Sequence, residues 1–203
     1  MTPLSEAMYE CLDDMGLKYQ REVVEGEGAG AGFTVCLPNG EAVIYLRSLD
    51  ASHRVTCIGI VADSSEATCP REELQLLCSI ATDNCCLGSF YLSSTDNDIE
   101  LKSGFGLGLV PNGLYGSGAY PPMKTMKRMV FDLMLTITTT LDAWFPAFDA
   151  LMNGQGEVSA RQAVSEGEWF NGTGSVNGFQ INDGDEMDYG GGGMDIVRLG
   201  EEE

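Results

Sequence analysis

Positive charge is scarce in this chain of 203 residues: 11 lysines and arginines stand against 31 aspartates and glutamates, a formal net charge of −20. Such a surface repels phosphate backbones and anionic bilayers, which argues against nucleic acids and membrane surfaces as partners. Histidine occurs once, at His53. Any Ser/His/Asp or Cys/His nucleophilic arrangement must use it, yet it lies at the margin of a predicted strand beside Arg54, where an exposed structural histidine is the simpler reading. No run of about 18 apolar residues occurs, and the N-terminus has neither the basic nor the apolar region of a secretory signal. The expectation is a soluble, cytoplasmic protein.

Cysteine is present, but its arrangement speaks against its two commonest structural uses. Cys11, Cys36, Cys57, Cys69, Cys78, Cys85 and Cys86 are odd in number and include no C-x-x-C pair, against both a disulfide framework and a zinc ribbon. Most read as small buried apolar side chains. Adjacent Cys85 and Cys86 have no basic neighbour to lower their pKa and read as inert. Phosphate-binding loops are missing too. Residues 26–32 (GEGAGAG) do not have the spacing G-x-G-x-x-G, no Lys-Ser/Thr follows and no helix begins after them, so they read as a flexible hairpin connection. Residues 104–108 and 113–118 fail the same test and read as a strand end and a loop. Asp96, Asn97, Asp98 and Glu100 have the composition of a calcium loop without its sixth-position Gly or twelfth-position Glu, and residues 182–188 fail similarly. No cofactor, metal or catalytic residue is assigned.

What the chain does have is hydrophobic periodicity, with 43% apolar residues in a length that suits one ordinary domain. The organising stretch is 70–107. Pro70 fits a first helical position, and Leu74, Leu77, Cys78 and Ala81 recur at helical spacing, which predicts a helix over 70–81 with one buried face. The period then changes to two. Phe90 and Leu92 alternate with Ser89 and Tyr91, and after a polar, acidic run Ile99, Leu101 and Phe105 resume, the pattern of a hairpin with a long connection. Upstream, Thr2-Pro3 supplies an N-cap and first position for a helix whose apolar face runs through Leu4, Met8, Cys11, Leu12 and Met15 and stops at Gly16. Alternating segments at 19–24, 32–37, 41–47 and 54–61 predict an antiparallel meander, with Pro38-Asn39-Gly40 as its tightest turn. Downstream, Met126, Met129, Val130, Leu133, Met134, Ile137 and Leu141 predict the longest helix, which Pro146 is expected to bend or end.

The expected fold class is α+β: an antiparallel sheet with helices packed on one face, in the order α-β-β-β-β-α-β-β-α, over residues 1–153. Residues 154–203 carry 11 acidic and 2 basic groups. They hold too few clustered apolar residues to offset the entropy of ordering, and a disordered acidic tail is expected.

This order of elements resembles the bacterial YbjN-like family, whose fold is similar to type III secretion chaperones. The residues that carry the resemblance are Gly16-Leu17-Lys18-Tyr19-Gln20-Arg21-Glu22 after the first helix, Ala81-Thr82-Asp83-Asn84 ending the second, Gly88-Ser89-Phe90-Tyr91-Leu92, Ile99-Glu100-Leu101 after the acidic turn, and Leu141-Asp142 with Pro146 in the last helix. The resemblance implies a non-enzymatic module, described in that family as a sensory-transduction regulator or chaperone-like protein, often dimeric; it brings no catalytic residues. The expected function is accordingly a protein-binding module that holds an apolar or basic segment of a partner protein. Apolar residues on more than one face of the last helix, among them Met126, Met129, Trp144, Phe145 and Phe148, place the expected partner or homodimer surface there. The alternative is a hydrolase or metal-dependent enzyme using carboxylates such as Asp96, Asp98 and Glu100.

Overall fold

The computed structural model describes residues 2–24, 28–49, 52–85, 87–107, 120–154 and 158–165. In chain order its elements are α1 (Pro3–Asp14), β1 (Gln20–Val24), β2 (Gly28–Leu37), β3 (Gly40–Leu49), β4 (Arg54–Asp63), a 3-10 turn (Ser64–Glu66), α2 (Arg71–Asp83), β5 (Ser89–Leu92), β6 (Asp98–Gly106), α3 (Met123–Asn153) and α4 (Ala160–Ser165). All six strands join one antiparallel sheet in the order β1-β2-β3-β4-β6-β5. The class is α+β, with the helices on one face. None of the described helices is long and apolar enough to cross a membrane.

Local chemistry accounts for the helix ends. The Ser5 N–H donates to the Thr2 hydroxyl, Pro3 follows at the first position, and Gly16 at φ +67° stops α1. Pro70 is the N-cap of α2 rather than its first residue: its ψ of 142° is extended, and the helix begins at Arg71. Inward residues alternate along the central strands, with Ala42, Ile44, Leu46 and Ser48 on β3 and Val55, Cys57, Gly59 and Val61 on β4 all buried. Helix α3 lies so close on them that a Cβ at Gly59 would come 2.4 Å from Leu141 Cδ1. Buried Ser5 and Ser48 share a hydroxyl hydrogen bond of 2.7 Å that ties α1 to β3.

Three expectations change. Gly28 to Gly32 are not a hairpin connection but the first half of β2, paired with β1 on one side and β3 on the other. Ala29 and Ala31 turn inward and are buried, while Gly28, Gly30 and Gly32 face the other side. There the neighbours fill the missing side chains: Tyr45 lies where a Gly32 Cβ would be 3.2 Å from its ring, and the Arg47–Glu22 ion pair, at 3.8 Å, spans Gly30.

The second concerns Pro146: of the two expected outcomes, α3 does not end there but continues to Asn153. A proline takes an N–H away from the carbonyl four residues back, here that of Asp142. The Asn39 side-chain amide donates to that carbonyl at 3.2 Å, and the Asn39 N–H to the Asp142 carboxylate at 2.9 Å. The hairpin turn is thus seated on the helix where the helix lacks its own donor.

The third is the boundary at 153. Helix α4 packs on α2 and α3 with Ala160 and Ala163 buried, and the Ala160 N–H donates to Glu73 at 2.8 Å. The folded body therefore reaches Ser165, and the rest of the expected tail lies outside the described residues. At the far sheet edge, the Thr82 hydroxyl of α2 accepts from the Phe90 N–H at 2.8 Å and donates to the Phe90 carbonyl at 3.2 Å, satisfying the outward backbone groups of Phe90 on β5.

Candidate functional site

The surface expected on the last helix is core. Met126, Trp144 and Phe148 are 2%, 5% and 1% exposed, and Trp144 and Phe148 both pack against Phe90 at ring separations of 6.2 and 5.3 Å. Met129 and Phe145 are half-buried against the same core, with Phe145 closed over Gly40. The helix is apolar on several faces because its neighbours come from several sides: α1, α2, α4 and strands β3, β4 and β6.

None of the described helices lies on the opposite face of the sheet. At the centre of this face the outward residues of β3 and β4 are Val43, Tyr45, Ile58 and Ile60, all half-buried. They form a square, because Val43 pairs with Ile60 and Tyr45 with Ile58. Charged side chains rim it: exposed Glu41, Arg47, Arg54 and Lys102, and half-buried Glu100. The sequence carried a signal for this surface. Ala42 to Leu46 and Cys57 to Ala62 are uninterrupted runs of apolar residues and glycine, the pattern of strands covered on both faces, whereas the described helices cover only one.

At one end of this face sits the acidic turn. Ligand oxygens of Asp96, Asp98 and Glu100 lie within 4.8 Å of one another, so the fold does bring these three together. The turn is held from outside: Arg71 donates to the Asn97 side chain at 3.0 Å and to the Ser93 carbonyl at 3.1 Å, and Asn97 adopts φ +61°, which asparagine tolerates better than most residues. Hydrogen bonds from Ser93 and Thr95 hold the Asp96 carboxyl below its ordinary range. Burial, then the charges of Asp96, Asp63 and Glu100, push Asp98 up. Tyr91 hydrogen bonds to Glu100, and its phenol is raised by burial first and by that carboxylate second.

His53 is half-buried rather than exposed. Its backbone has φ +50°, its Nδ1 lies 2.9 Å from the Tyr120 hydroxyl, and its carbonyl accepts from the Leu107 N–H at 2.8 Å. The ring thus faces a tyrosine, and the residue clasps both ends of the segment 108–119. Burial pushes the thiols of Cys11, Cys57 and Cys78 up to about 12, which makes them poor nucleophiles. A small apolar cleft between α1, β2 and α3, lined by Met15, Leu17, Val35 and Phe131, has about 10 Å³ of room, space for a single water-sized sphere. Searches against protein-family models, curated proteins and solved structures find no match to this chain.

Proposed function

We propose that the chain is a non-enzymatic, chaperone-like protein-binding module, regulatory rather than catalytic, whose docking surface is the open face of the sheet. One observation carries this: β3 and β4 are apolar on both faces, and the described helices cover only one of them. An apolar centre with a charged rim is the anatomy of a protein interface. The net charge favours partners that bring basic groups beside their apolar ones. The resemblance to the YbjN-like family points the same way, and the setting proposed for the chain is cytoplasmic. A photo-crosslinking amino acid at Ile58 of the full chain should give covalent protein adducts in native extract, and the same group at Glu72 on α2 should not. Adducts at neither position, or equally at both, would remove the reading.

A second reading has its own observation. The convergent oxygens of Asp96, Asp98 and Glu100 are of the type that hold a hard divalent cation, as a metal-dependent hydrolase would require. Calorimetric titration with calcium, magnesium and manganese decides it: stoichiometric heat at sub-millimolar concentration favours this reading, and silence ends it.

A further inference from the structure

We propose that the first occupant of the open sheet face is a second copy of this chain, docked face to face about a two-fold axis. The inference rests on reading that face as a docking surface and names its partner.

The reason is the way charge is distributed along the strands. Registers place Tyr45, Ile58 and Lys102 in one outward row, and Val43, Ile60 and Glu100 in the next. Beyond the first row lie Arg47 and then Arg54; beyond the second lies Glu41, with Asp63 and Asp98 at the end of the β4–β6 pair. The face is therefore basic at one end, apolar in the middle and acidic at the other. Glu22 is the exception, and Arg47 already engages it across Gly30.

Consider a two-fold axis in the plane of the interface, perpendicular to the strands and running between the two rows. It lays each strand antiparallel on its own copy. Tyr45 then faces the second copy's Val43, and Ile58 faces its Ile60. Lys102 faces Glu100, Arg47 faces Glu41, and the Arg54 end meets the Asp63 end. Each pairing occurs twice, as an isologous interface requires. No shift along the strands does as well, because a displacement of two residues sets like charges opposite one another. The twist of each sheet leaves aligned faces about 30° apart, which preserves the pairs nearest the axis. Strand spacings of about 4.8 Å and rises of about 3.3 Å per residue give the face roughly 700 Å², close to one partner's share of a standard interface.

The test uses the full chain in about 0.15 M salt, where screening acts over about 8 Å. Light scattering up to roughly 100 μM, a range in which mass action favours assembly, should give twice the 21.8 kDa chain mass. Ile58→Glu should weaken association at least tenfold with an unchanged circular dichroism spectrum. Arg47→Glu and Glu41→Arg should each weaken it, and the double variant should recover to within a few-fold of the starting protein. A monomeric mass at every concentration overturns the proposal, as does a dimer insensitive to Ile58→Glu or a double variant no better than its parents. Crosslinks from position 58 separate the two failures. Adducts to other proteins from a monomeric chain sink the dimer and keep the docking surface, whereas no adduct sinks both.

Discussion

Cys57 lies on the inward side of β4 with no exposed surface, and burial alone lifts its thiol from 9.0 to about 12. The unfolded chain gives up that proton near the ordinary value and the folded chain does not. The stability this residue contributes is therefore complete below pH 9 and is lost as pH rises from there toward 12, at about 1.4 kcal/mol per pH unit. Cys11 and Cys78 act in the same direction. The urea midpoint should consequently fall between about pH 8 and pH 10.5, and Cys57→Ala should show a smaller fall over that interval while starting from a lower midpoint. The expectation that most cysteines are buried apolar residues holds for Cys11, Cys57 and Cys78, whereas Cys36, Cys69 and Cys85 are only half-buried. His53 was legible only as structural, because a clasp joining Leu107 and Tyr120 depends on pairings distant in sequence.

Among the elements, α3 shows how a local rule is met by a distant residue. Pro146 takes a donor from Asp142, and Asn39 in the β2–β3 turn replaces it. Asn39→Ala should cost about 1 kcal/mol in urea unfolding. In a Pro146→Ala background the same change should cost less, because residue 146 regains an N–H for that carbonyl; the difference is the coupling that a double-mutant cycle reads. Sequence periodicity placed the helices and strands of the order α-β-β-β-β-α-β-β-α, since most of them have a buried face; β1, with no buried side chain among its described ones, was placed by its alternation and flanking breaks. It misplaced Gly28 to Gly32, because glycine's freedom suggests a connection when the Tyr45 ring and the Glu22–Arg47 pair that cover it belong to other strands. It also turned the site inside out. The apolar excess of Met126, Trp144 and Phe148 is used within the chain, whereas Val43, Tyr45, Ile58 and Ile60 on β3 and β4 stay half-exposed. How many neighbours a helix has is a tertiary fact, which its own spacing does not record.

For the molecule as a whole, the fold runs past the change in composition near residue 154. Ending the chain after Asn153 would strip Ala160 and Ala163 from α2 and α3 and remove the partner of Glu73. Its melting temperature should lie several degrees below that of a chain ending at Ser165, as scanning calorimetry would show. The Thr82 hydroxyl on β5 has a wider consequence. In the vocabulary of polymer chemistry, a sheet with two bare edges is a bifunctional monomer and propagates without limit. With Phe90 already bonded to Thr82 on a strand of only four residues, this sheet is closer to a chain terminator. Pairing along β1 alone would stop at two sheets. Edge-to-edge assembly of this sheet is therefore of finite size, a closed pair rather than a fibre.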